Sequence, residues 1–185
     1  IIDRHNQKVG ISKGRPFDLE THLLANYVNQ PAVFMRRRVL EAVGGVDEGL
    51  QYVMDRELWL RIGLAGFKFA YLDTVLANFR LQPGTKSYDQ SAWFKNEWLE
   101  VVWNTFDSGG FPHFSQKQKE EILAKIEAQY CLSMASRSSG RRTRLGYLWK
   151  AISADRQLLR NIGLLLFLGK IILGQEITVM RKYKK

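Results

Sequence analysis

Residues 43–72 constrain the fold of this chain more than any other part of its 185 residues. A Gly44-Gly45 turn comes first, and an apolar run at helical spacing begins near Asp55. The run ends at Gly66, and the strand-like segment 67–72 follows, in which residues 67–71 alternate as in a half-buried strand. A helix followed directly by a strand predicts an α/β layer.

The segments on either side extend this α/β prediction. In the first half, short apolar runs predict strands, and apolar residues at helical spacing predict helices. The predicted elements are a hairpin over 1–11, strands over 32–35 and 75–81, and helices over 17–27 and 37–43. From residue 89 onward the spacing is helical, with a capping box at Ser115 and Gln118 and a break at Gly140. We therefore predict an α/β part over 1–88 and a mostly helical region with a basic tail over 89–185.

The charge of the chain is strongly asymmetric. Residues 1–136 hold 16 Lys and Arg against 16 Asp and Glu, whereas residues 137–185 hold 12 against 2, which accounts for the whole net charge of +10. Such a basic segment predicts an anionic partner: phospholipid, a phosphorylated carrier or nucleic acid, with nucleic acid the least favoured. The apolar run 162–173 is interrupted by Lys170 and is shorter than the roughly 20 residues that span a bilayer. It is either an interfacial helix with basic flanks or a helix packed on its neighbours.

The ends of the chain and its one cysteine bear on its origin. Cys131 allows no intrachain disulfide and fits a reducing compartment. The first residues show no signal peptide and no initiator Met, so we expect an excised piece of a longer protein.

Asp55 and Glu57 are the leading candidates for chemistry. An acid at the start of a helix is favoured in its charged form by the helix dipole and can serve as a general base. The same position suits a helix cap worth about 1 kcal/mol, and the spacing alone leaves both interpretations open. Glu57 can assist such a site, or it can pair with Arg61 four residues later.

Two further segments carry groups suited to phosphate. Arg36, Arg37 and Arg38 can hold a diphosphate or form a solvated face, and the loop 84–87 can cradle phosphate or be an ordinary turn. The three histidines are scattered along the chain, so no metal-ligand set with recognised spacing is present.

The order of the segments is more specific than any one motif. Residues 30–37, 43–48, 54–61, 65–67 and 79–81 read QPAVFMRR, VGGVDE, MDRELWLR, AGF and FRL. In this order they resemble the second half of family 2 glycosyltransferases, which have the GT-A fold. The resemblance covers residues 1–88, and the helical remainder is similar, less specifically, to the tail of many bacterial members.

This resemblance implies a fold, an activity and a set of site residues. It implies the C-terminal half of a Rossmann-like GT-A domain that moves a sugar, with inversion, from a nucleotide-sugar to an acceptor hydroxyl. Asp55 matches the catalytic base. The other implied residues are Glu57, Trp59 and Gln30 on the acceptor side, and Lys86 and Arg80 at the donor phosphates. Mg²⁺ or Mn²⁺ is the expected cofactor, as a Lewis acid on the diphosphate.

The chain departs from the family pattern at two points. Gln82 stands where relatives often carry His, and no Asp-x-Asp occurs, so no metal ligand is assigned in this chain. We therefore expect the chain alone to be inactive, and the complete enzyme to act in the cytoplasm or on the inner membrane face. Its products would be cell-surface polysaccharide or glycolipid. The alternatives are a binding module whose basic tail docks on membrane, nucleic acid or protein, and a fragment that forms homo-oligomers.

Overall fold

Helices dominate the architecture of the chain. The computed structural model describes residues 1–80 and 91–160, together with Gly163, Leu165, Leu168 and Gly169. The α-helices within these residues are α1 (Leu19–Leu24), α2 (Arg37–Val43), α3 (Met54–Leu64), α4 (Ser91–Asp107), α5 (Gln116–Arg137) and α6 (Arg141–Ala154). Two 3₁₀ helices cover Gln30–Ala32 and Arg156–Arg160.

Local sequence signals account for the helix ends. Gly44 follows α2 with φ of +80°, and Gly66 follows α3 with φ of +78°, a region of backbone space that favours glycine. At the start of α5, the Ser115 side chain accepts from the Gln118 N–H while the Gln118 side chain accepts from the Ser115 N–H. The predicted α2, α3 and capping box are confirmed.

The α/β prediction is wrong. Helices make up 57% of the structure and strand-type residues 2%, with no sheet among the residues described. In the described part of the chain, the β-type pairings are two isolated bridges, an antiparallel one between Ile2 and Lys8 and a parallel one between Ile2 and Arg80. A half GT-A domain, with its layer of paired strands, is therefore not the architecture found.

The segment 67–72 shows why alternation misled the prediction. Phe67 and Phe69 are half-buried against the α3 cluster, whereas Lys68 and Ala70 are exposed. Alternation indicates that one face of the segment is buried, and here helix α3 covers that face. A strand also requires a neighbouring strand that exchanges backbone hydrogen bonds, and sequence alternation carries no information on that neighbour.

The chain divides into two compact units, Ile1–Gly110 and Phe111–Lys185, so α4 belongs to the first. In the first unit, Leu58, Trp59 and Ile62 of α3 form a buried cluster. The half-buried side chains packed against it come from several other segments: Phe17, Val28, Val33, Val39, Val43, Phe67 and Phe69. Helix α3 is thus the central element of this unit.

In the second unit, α5 and α6 pack as a helical hairpin. Ala128, Cys131 and Ala135 of α5 are buried at the three- and four-residue spacing that places side chains on one helix face. Leu148 and Ala151 are the buried residues of α6. Because most of these side chains are small, the two helices can approach closely.

Some sequence predictions lie outside the described residues. These are the loop 84–87, the end of the segment 75–81 and most of the apolar run 162–173. Within the part of the chain that is described, no helix combines the length and apolar character that crossing a bilayer requires.

Candidate functional site

A carboxylate from a distant helix completes the start of α3. Glu97 of α4 accepts the backbone N–H groups of Gln51, Tyr52 and Val53 at 2.7, 2.6 and 2.8 Å. Val53 is the N-cap residue of α3 and has no side chain able to accept a hydrogen bond. Glu97 therefore supplies the acceptor that the local sequence lacks, and it fixes where α3 begins.

Asp55 lies in the first turn of this anchored helix. It is half-buried, and its Oδ1 accepts the Arg56 backbone N–H at 2.7 Å. Its Oδ2 accepts no hydrogen bond from the residues that the structure describes. Asp55 thus satisfies one amide of the helix start and keeps one carboxylate oxygen available to a ligand.

Glu57 forms an ion pair with Arg61 of the same helix. Its Oε2 accepts from Arg61 Nη2 at 2.7 Å, and its Oε1 pairs with Arg61 Nε. Arg61 also donates to the Val43 carbonyl and, at 2.8 Å, to the Gly45 carbonyl. Glu57 and Arg61 therefore tie α3 to the glycine turn, and of the two roles open to Glu57 the structure shows the pairing.

Arg56 anchors α3 on its buried side. Its Nη2 donates to the His22 carbonyl at 2.7 Å and to the Leu23 carbonyl at 3.3 Å. Trp98 Nε1 donates to the same Leu23 carbonyl at 2.8 Å, and Arg56 Cζ lies 3.8 Å from the centroid of the Trp98 ring. A cation is thereby held at the C-terminal carbonyls of α1, the negative end of its dipole.

Burial sets the charge states in this cluster, which we call the Arg56 cluster (Arg56, His22, Leu23 and Trp98). Desolvation lowers the pKa of His22 to about 4, and the nearby Arg56 charge acts in the same direction. Its Nε2 lies 3.0 Å from the Arg56 carbonyl, an acceptor, so the neutral ring carries its proton on Nε2. Desolvation also lowers the pKa of Arg56 to about 9, which leaves the guanidinium protonated at neutral pH.

The other predicted site residues lie in varied surroundings. Trp59 is 4% exposed in the α3 cluster, and its buried Nε1 has no hydrogen-bond partner among the described residues. Gln30 is exposed at the start of a 3₁₀ turn. Arg80 donates to the Asp3 carbonyl at 2.9 Å and to Asn6 Oδ1 at 2.7 Å, so its guanidinium ties down the N-terminal turn. Lys86 lies outside the described residues.

The expected divalent metal has no ligand set in the part of the chain that is described. No three His, Cys, Asp or Glu side chains come close enough there to hold an ion. The Mg²⁺ or Mn²⁺ cofactor implied by the resemblance therefore stays a prediction.

Sequence reasoning missed Glu97, His22 and Trp98 as supports of the candidate base. Their contacts to α3 and α1 join residues 34 to 75 positions apart, beyond any local pattern. One signal was available: Val53, two residues before the predicted helix start near Asp55, has no side chain that accepts a hydrogen bond, so nearby amides must find an acceptor elsewhere.

Comparisons with protein-family models, curated proteins and solved structures find no match to this chain.

Proposed function

We propose that the chain carries the general base of a sugar transferase, with Asp55 as that base. The observation that supports the proposal best is the state of the two acids in the first turn of α3. Glu57 is occupied by Arg61, whereas Asp55 keeps Oδ2 available among the described residues. The order of segments that resembles family 2 glycosyltransferases supplies the reaction class.

In the proposed reaction, Asp55 accepts the proton of an acceptor hydroxyl. The hydroxyl oxygen forms its bond to the anomeric carbon of the donor sugar, and the nucleoside diphosphate leaves with the electrons of the broken bond. A base must sit within hydrogen-bond reach of the proton and must be held in place. Glu97 and Arg56 hold the helix start on two sides, which restricts the positions that Asp55 can take.

We further propose that the reaction takes place at the cytoplasmic side of a membrane. Its product would be a polysaccharide or glycolipid for the cell surface. Arg80 and Lys86 stay the candidates for the donor phosphates, since Arg80 is exposed and Asp3 and Asn6 accept from only two of its five N–H donors. The chain taken alone is expected to lack transferase activity.

The test replaces Asp55 in the protein at its natural length. Release of nucleoside diphosphate is measured with a panel of nucleotide-sugars and acceptors. Asp55→Asn keeps the size and the Oδ1 acceptor but removes the base, so we expect turnover to fall by about 10²–10⁴-fold. Binding of the nucleotide-sugar should be unchanged, because the substitution removes proton transfer rather than donor contacts.

Two matched variants separate a base from a structural acid. Glu41→Gln, at an exposed position of α2, should leave turnover unchanged. Glu57→Gln should lower stability by about 1 kcal/mol through its pair with Arg61, with turnover retained below the melting temperature. Full turnover in Asp55→Asn would remove Asp55 as base, and no release from any donor by the wild type would overturn the transferase proposal itself.

A further inference from the structure

The outer face of α6 is uncovered and carries both cations and a large aromatic side chain. Trp149 is 72% exposed although the other side of the same helix is buried at Leu148 and Ala151. Arg142 lies seven residues before Trp149, and Gly146 lies between them on the same face. A Cβ added to Gly146 would meet nothing within 4 Å, so this face is open.

The segment that carries this face is strongly cationic. Residues 137–160 contain seven Lys and Arg and a single acid, Asp155. Arg141, Arg142 and Lys150 of α6 are exposed, as are Arg156 and Arg160 of the following 3₁₀ helix. A surface of this sign favours an anionic partner, and the effect acts over about 8–10 Å at physiological salt.

The exposed apolar side chains of the second unit lie in the same part of the chain as these cations. Among its described residues, the exposed large hydrophobic side chains are Trp149, Leu159 and Leu165, at 72%, 49% and 46%. Lys150, Arg156 and Arg160 alternate with them along the chain. Apolar side chains interspersed with cations suit a headgroup interface, where tryptophan is enriched and lysine and arginine meet anionic lipid.

We propose that the outer face of α6 docks on an anionic lipid bilayer, with Trp149 in the headgroup interface and Arg142 and Lys150 on lipid phosphates. A nucleic acid would satisfy the cations, but the exposed Trp149, Leu159 and Leu165 side chains also favour an apolar environment, which a bilayer supplies. This inference is independent of Asp55 and holds whether or not the chain takes part in catalysis.

The test measures binding of the 185-residue chain to vesicles by flotation. Vesicles of phosphatidylcholine mixed with phosphatidylglycerol should bind, and vesicles of phosphatidylcholine alone should not. Trp149→Ala should weaken binding about tenfold, since most of a tryptophan surface is lost from the interface. Arg142→Gln with Lys150→Gln should weaken it about 25-fold, given the usual contribution of each cation.

Trp103 provides a matched control. It is 54% exposed on α4, where its neighbours one helical turn away, Glu100 and Asp107, are exposed acids. Trp103→Ala should leave vesicle binding unchanged, and Trp149→Phe should restore part of what Trp149→Ala removes. Thermal melts check that the variants fold, which is expected because every substituted side chain is exposed.

Three outcomes would overturn the proposal. One is equal binding to vesicles with and without phosphatidylglycerol, and another is undiminished binding by Trp149→Ala. The third is displacement of the chain from anionic vesicles by duplex DNA, with DNA affinity lost in the double variant, which would assign this face to nucleic acid.

Discussion

Two regions of the molecule use their cations in opposite ways. In the Arg56 cluster, Arg56 is 9% exposed, and its guanidinium donates to two backbone carbonyls beside a tryptophan. On the outer face of α6, Arg142 and Lys150 are exposed beside a tryptophan that is itself 72% exposed. The same pair of residue types thus stabilises the interior in one place and lies on an exposed face, the one we propose as a docking surface, in the other.

The difference follows from where the hydrogen-bond partners are. A buried cation requires acceptors within the protein, because desolvation of a charge is expensive. Arg56 finds them at the end of α1, and its removal takes the donor from the His22 carbonyl, whereas the Leu23 carbonyl still accepts from Trp98 Nε1. A surface cation remains hydrated until it binds a partner, so its removal changes binding affinity and barely changes the stability of the fold. Stability and binding measurements should therefore separate the two regions.

The largest effect is expected from Arg56→Ala. The substitution leaves a cavity beside Trp98 and removes the donor to the His22 carbonyl, so the free energy of unfolding should fall by about 3–4 kcal/mol. Arg142→Ala is the matched change on α6 and should alter it by less than about 0.5 kcal/mol. Urea unfolding measures both free energies. Similar losses of stability in the two variants would show that the buried and exposed cations do not differ in their contribution to stability.

A pH effect of about 3 kcal/mol is expected from His22. Its pKa is depressed from 6.5 to about 4 in the folded protein, so the unfolded chain binds the proton more readily. The stabilisation is fully present above pH 6.5 and is lost as pH falls toward 4, at 1.36 kcal/mol per unit of pKa difference. The His22 ring packs against Phe17, Tyr27 and Trp98, and the charge beside it is Arg56.

The check is thermal or urea unfolding between pH 4 and 7. His22→Gln keeps an N–H that can donate to the Arg56 carbonyl but does not titrate, so its stability should depend less steeply on pH. Equal pH dependence in the variant and the wild type would show that His22 is not the group responsible.

A smaller effect, about 2–3 kcal/mol, is expected from Glu97→Ala. The change leaves the Gln51, Tyr52 and Val53 amides without their shared acceptor. Glu97→Gln retains one acceptor oxygen and should lose less. Glu100→Ala, an exposed change on the same helix, should stay within about 0.5 kcal/mol of wild type.

Hydrogen exchange sharpens the Glu97 prediction. Amides 51–53 should exchange faster in Glu97→Ala, and the middle of α3 should change little. Unaltered exchange at all three amides would mean that the carboxylate does not hold the start of α3.

Part of this architecture was predictable from local signals. Helices α2 and α3 and the start of α5 follow from glycine positions, apolar spacing and the Ser115–Gln118 capping box, all of which act within a few residues. The sheet prediction was wrong because the alternating Phe67 and Phe69 side chains pack on helix α3. Their spacing does not indicate whether a neighbouring strand is present.

The candidate site shows the same division. The pairing of Glu57 with Arg61 was one of two expected roles, because it spans a single helical turn. The sequence by itself determined the acids at the start of α3, the apolar face beneath them and a basic last quarter. Only the tertiary structure decided which cation is buried, which carboxylate holds the start of α3 and which tryptophans are exposed. Those outcomes depend on carbonyls and amides supplied by residues far along the chain, and no local pattern specifies them.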